Sequence, residues 1–147
     1  MDNNERKEMP MKWHCFLIYF SLWAGAVLNV INAIRIFSAN SSVYYWFPGF
    51  KGLDVIFCIC SIALAVYLIY TRFQLAGLKY EAPKKLTRCY VFAIVLTLLY
   101  WIGASIVSGI SLFTLANASD TGTIIGNIVM MCINKAYYNK REDMFIM

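Results

Sequence analysis

Charge is what this chain has least of. Lys, Arg, Asp and Glu make up 14% of the residues against 61% hydrophobic, a balance that excludes an ordinary soluble domain and points to an integral membrane protein. Histidine occurs once, at His14, and with Cys15 beside it offers at most two ligands, too few for a metal centre. There is no G-x-S-x-G, no H-E-x-x-H, no P-loop and no pair of carboxylates within an apolar segment. The expectation is therefore a protein that is not an enzyme, with no cofactor and no metal. Heptads, internal repeats and low-complexity tracts are absent as well.

What the chain does have is long apolar runs: Trp13 to Ser38, Leu53 to Tyr70, Cys89 to Phe113, and a shorter one from Thr121 to Tyr138. A bilayer core about 30 Å thick needs about 20 helical residues, which the first three supply. The fourth reaches span length if Lys135 snorkels to the headgroups and Tyr137 and Tyr138 sit at the interface. The fold class predicted is an all-α integral membrane protein, a bundle of four transmembrane helices over about 13–38, 53–72, 87–113 and 121–138. The whole of 1–147 forms a single membrane domain.

Basic residues orient it. Arg6, Lys7 and Lys12 precede the first segment, Arg72, Lys79, Lys84, Lys85 and Arg88 lie between the second and third, and Lys135, Lys140 and Arg141 end the chain. The other two loops hold only Lys51. Short loops rich in Lys and Arg stay in the cytoplasm, so both termini are expected inside. The net charge of +5 is then a topology signal, with binding of anionic lipids at the basic inner loop as its secondary effect and no nucleic acid as partner. A bacterial cytoplasmic membrane is the expected location. Charge, an apolar run and then Ala24-Gly25-Ala26 resemble a secretory signal with its cleavage site, but the apolar character continues to Phe37 and favours a retained helix.

Between segments, SANSSVYYWFPGFKG, Ser38 to Gly52, combines turn formers with aromatics and is expected to lie along the outer interface. Thr71 to Lys85 is expected to extend the second helix until Pro83 breaks it. Asn40-Ser41-Ser42 and Asn117-Ala118-Ser119 match the N-glycosylation pattern.

The candidate site is the polar group inside the first segment. Asn29, Asn32 and Arg35 interrupt the run LNVINAIRIF. A central Arg costs about 2.5–3.5 kcal/mol and each Leu, Ile, Phe or Val contributes about −0.3 to −0.6. The twelve such residues from Phe16 to Phe37 outweigh the arginine on that scale. Asp54, in the first turn of the second helix, is the one opposite charge at the depth of Arg35, so the two are expected to pair. Ser21, Gly25, Asn29 and Asn32 follow at helical spacing on one face. That face predicts a packing seam against Ala104, Ser105, Ser108 and Gly109 of the third helix and Gly122, Gly126, Asn127 and Asn134 of the fourth, with Gly122 and Gly126 forming a G-x-x-x-G. The alternative use of the same amides is a polar site for a small solute.

Five cysteines raise a redox reading. Four-span membrane thiol oxidases need cysteine pairs at the outer surface, whereas here Cys58 and Cys60 point about 200° apart and Cys15, Cys89 and Cys132 lie at inner ends. The small multidrug-resistance transporters, also four-helix proteins, depend on a glutamate in the first helix, which this chain lacks. The expected function is an accessory or regulatory protein that binds another membrane protein. The alternative is a small solute or ion transporter or channel acting as a homo-oligomer.

Overall fold

The computed structural model describes residues 11–111 and 118–145. Helix accounts for 86% of it, and no strand is present among the described residues. The first rod comprises α1 (Lys12–Phe16), one π-turn (Leu17–Ser21) and α2 (Leu22–Ala39). A short α3 (Val43–Trp46) crosses to α4 (Gly49–Ala76), followed by α5 (Ala82–Ser108) and α6 (Ala118–Asn139). Three of these are long and apolar enough to cross a membrane: Lys12–Ser38, Gly49–Ala76 and Ala82–Ser108. At 1.5 Å per residue, each extends about 40 Å. Helix α6 has the length of a span at 22 residues, but its polar content keeps it out of that group.

Helix ends are set by local backbone chemistry rather than by where the apolar runs stop. Helix α4 starts behind Pro48, whose fixed φ suits a helix entrance. It ends at Gly77, where the amides of Gly77 and Leu78 bond back to Phe73 and Leu75 and Leu78 takes a φ of 49°. Pro83 therefore does not break α4, as the sequence suggested; it lies in the first turn of α5, where a missing N–H costs nothing. Helix α5 ends in a left-handed Gly109, φ 70°, whose amide bonds to the Ser105 carbonyl.

Neighbouring helices are antiparallel and pack in chain order, α2 on α4, α4 on α5, α5 on α6. Their buried side chains gather at the basic end: Leu17, Leu22, Leu64, Leu68, Leu75, Leu86, Cys89, Tyr138 and Phe145. The remaining apolar surface faces outward, with almost none of the most apolar stretch of α5 buried, as expected where lipid rather than protein is the solvent.

Two packing expectations are corrected. Helix α2 lies principally along α4, not against α5 and α6. Ser105 and Ser108 do not join a seam: their hydroxyls donate to the carbonyls of Ile110 (2.6 Å) and Ala104 (2.7 Å), and together with Gly109 they close the end of α5. The tightest contact at a described glycine is instead at Gly103, where an added Cβ would sit 2.6 Å from Leu53 Cδ1. A Cβ on Gly122 or Gly126 would meet nothing within 4 Å, so this G-x-x-x-G mediates no close helix contact among the described residues.

Candidate functional site

The candidate residues fall at three levels. At the end of the helices away from the basic residues, Asp54 is fully buried. Its Oδ1 accepts a hydrogen bond from Tyr100 Oη at 2.9 Å, and its Oδ2 accepts one from Tyr44 Oη at 2.7 Å and another from Asn40 Nδ2 at 2.9 Å. Asn40 Nδ2 also donates to Tyr100 Oη, 3.1 Å away. Neutral donors thus satisfy the carboxylate without a cation. Burial and the neighbouring Asp54 push the Tyr44 hydroxyl up to about 12, so it remains a donor at ordinary pH.

Arg35 takes no part in this cluster. The inward face of α2 is marked by Leu22, Ala26 and Ala33, and Arg35 follows Ala33 by two positions, about 200° around the helix. Its side chain is exposed and forms no ion pair among the described residues. The expected Arg35–Asp54 pair is therefore replaced by a tyrosine and asparagine cage. The cage also bears on Asn40-Ser41-Ser42: the nitrogen that would carry a glycan is already bonded to Asp54 and Tyr100. Asn117 of the second such pattern lies outside the described residues.

At the basic end, Asn134 is buried on α6 and ties three helices together. Trp13 Nε1 donates to its Oδ1 at 2.8 Å, and its Nδ2 donates to Tyr90 Oη at 3.1 Å. One turn on, His14 Nδ1 lies 2.9 Å from Tyr138 Oη, with Tyr138 and Phe145 edge-on to the imidazole. His14 and Tyr138 are buried, because the chain folds back after α6 and seats Phe145 over them. The π-turn lies just beyond, and Arg72 Nε donates to the Ile18 carbonyl within it at 3.3 Å.

Between these levels lies an open cleft of about 300 Å³. Ser21, Gly25 and Asn29 line one side, Asn127 and Met130 the other, with Leu64, Leu68, Cys89 and Tyr90 behind. Asn29 Nδ2 is turned back onto the Gly25 carbonyl, 2.8 Å away. Asn127 has no hydrogen-bond partner among the described residues, and neither has Asn32, which stands exposed one turn above Asn29. The small, amidated face of α2 thus borders a gap. Sequence spacing located this face; it did not reveal that, among the described residues, α6 bonds to the first rod at the basic end, through Trp13 and His14.

No family model, curated protein or solved structure matches the chain.

Proposed function

We propose that this is a four-span accessory protein of a bacterial cytoplasmic membrane, N-in and C-in, in which the side of α2 bearing Asn32, together with the adjoining cleft, receives a transmembrane helix of another membrane protein. The observation that carries this reading is the exposure of Asn32. Asp54 and Arg72 are 18 positions apart on α4, about 27 Å of helix, close to the bilayer core of about 30 Å. On this reading these two charges lie at the boundaries, and Asn29 and Asn32 then lie near the midplane. An amide left there without a partner costs roughly 2–7 kcal/mol, a cost removed by a neighbouring helix that hydrogen-bonds it. Arg35, about a turn further out on the same exposed side, adds a cation that an acidic or carbonyl-bearing partner can satisfy. The basic residues at the ends of α1, α4, α5 and α6 support the inside position of both termini, and Lys135 lets the less apolar α6 span.

Native mass spectrometry of protein extracted gently from its own host's membranes tests the reading. A stoichiometric second membrane protein is expected with the wild-type chain and not with Asn32→Leu, whose own fold should be intact. Equal capture by both, or capture by neither, contradicts it.

The cleft favours one other reading, a homo-oligomeric carrier for a small solute, because Ser21, Asn29 and Asn127 offer polar contacts in an otherwise apolar space. Solute or ion flux through liposomes holding the purified protein alone separates this reading from the first.

A further inference from the structure

The cations of the inner end are not equivalent. Lys85 is engaged by Glu81 at 3.6 Å and by Tyr70 Oη at 3.4 Å. The guanidinium of Arg141 lies 3.9 Å from the Tyr137 ring centre, and its Nη1 donates to the Tyr137 carbonyl. Arg72 is different: Nε is fixed on the Ile18 carbonyl in the π-turn, and the plane is held over Phe73 at 4.7 Å and Trp23 at 5.7 Å. Neither of its Nη groups has a hydrogen-bond or carboxylate partner among the described residues. The guanidinium is thus oriented by three contacts that leave its paired donors open, the edge that binds a phosphate through two parallel bonds.

A shallow apolar groove of about 420 Å³ runs along the outside of the first rod, lined by Tyr19, Phe20, Trp23, Ala24, Val27 and Leu28. Trp23 belongs both to this groove and to the stack on Arg72. An open cationic fork at the inner boundary, continued by an apolar channel toward the midplane, has the polarity of a phospholipid.

We propose that Arg72, Trp23, Phe73 and this groove form a binding site for one anionic phospholipid of the inner leaflet, with the phosphate on the Nη edge of Arg72 and an acyl chain along the groove. The site rests on the membrane setting and orientation proposed above, but not on the protein partner. The π-turn contributes by offering the Ile18 carbonyl that holds Nε, which turns a mobile side chain into a preorganised one.

The test uses the full chain in nanodiscs of phosphatidylethanolamine and phosphatidylglycerol, released into the mass spectrometer under native conditions. The wild type is expected to retain one phosphatidylglycerol per chain. Arg72→Gln should weaken that retention about 10- to 100-fold, the range of a lost charge-assisted contact, whereas Arg88→Gln, an exposed cation one helix away, should leave it unchanged. Should Arg72→Gln not fold, Trp23→Leu combined with Phe73→Leu removes the stack while keeping the charge, and it too should release the lipid. Retention unaltered in both variants, or lost equally in Arg88→Gln, overturns the site. Displacement of the lipid by inorganic phosphate alone overturns the acyl-chain half and leaves a simple anion site. Arg72→Gln that loses the lipid while still capturing the protein partner separates this proposal from the one above.

Discussion

Tyr100 of α5 donates a 2.9 Å hydrogen bond to the buried carboxylate of Asp54 on α4, and this contact, not an arginine, joins α4 and α5 at the end away from the basic residues. Tyr44 and Asn40 complete the same acceptor from the connecting segment, so one residue organises two helices and the loop between the first two spans. A buried acceptor shared by three donors is costly to remove, because both tyrosine hydroxyls then lose it and Asn40 keeps only Tyr100.

Asp54→Leu is therefore expected to destabilise the protein by at least about 2 kcal/mol, measured as detergent or thermal unfolding of the purified chain. Arg35→Leu should cost nothing or stabilise the isolated protein. The exchange of Arg35→Asp with Asp54→Arg should not restore what Asp54→Leu loses. Recovery in the exchange variant would revive the ion pair.

Tyr44→Phe gives a pH signature. The Tyr44 hydroxyl has its pKa raised to about 12 in the fold against about 10 in an unfolded chain. A raised pKa means a contribution that is complete below about pH 10 and fades as pH climbs through about 12. Wild type should exceed Tyr44→Phe in stability at pH 8, and the difference should vanish at the alkaline end. A constant difference across that window would show that the hydroxyl contributes no donor.

Asn134→Leu leaves Trp13 Nε1 and Tyr90 Oη without the amide that bridges them. We expect a loss of about 1–3 kcal/mol, above the average of about 0.6 kcal/mol for hydrogen bonds between membrane helices, because two bonds fail together. Double-mutant cycles with Trp13→Phe and Tyr90→Phe should each show coupling. Additive effects would mean that the three residues are merely neighbours.

The apolar runs revealed the three long helices in the sequence, with starts short by several residues where a helix begins in polar positions, as at 49–52 and 82–86; the continuation of α4 past Tyr70 was legible, its stop at Ala76 was not. Depth was legible too: Arg35 and Asp54 do lie toward the same end. Azimuth was not, because whether Arg35 turns toward Asp54 depends on which face of α2 is buried, and Asn29, Asn32 and Ala33 are equally compatible with several helix orders. The role of Asn134 was half visible, as a polar residue in an apolar helix. Its partners Trp13 and Tyr90 come from segments 121 and 44 positions away in the chain, and no local pattern connects them. Gly103 carried no signal at all, since a lone glycine in an apolar run looks the same whether or not a Leu53 presses on it. The π-turn was equally hidden, because the run from Leu17 to Ser21 suits an ordinary helix.

The proposed function requires that the face of α2 bearing Asn32 be covered by another protein within the bilayer. The most direct measurement replaces Asn32, and in separate chains the outward-facing Ile56 and Ile106, with a photo-activatable amino acid and irradiates the host's intact membranes. A discrete adduct with a second membrane protein from position 32, with only lipid adducts from positions 56 and 106, is the predicted result. Lipid adducts alone from all three positions, or the same protein adducts from each, would contradict the claim.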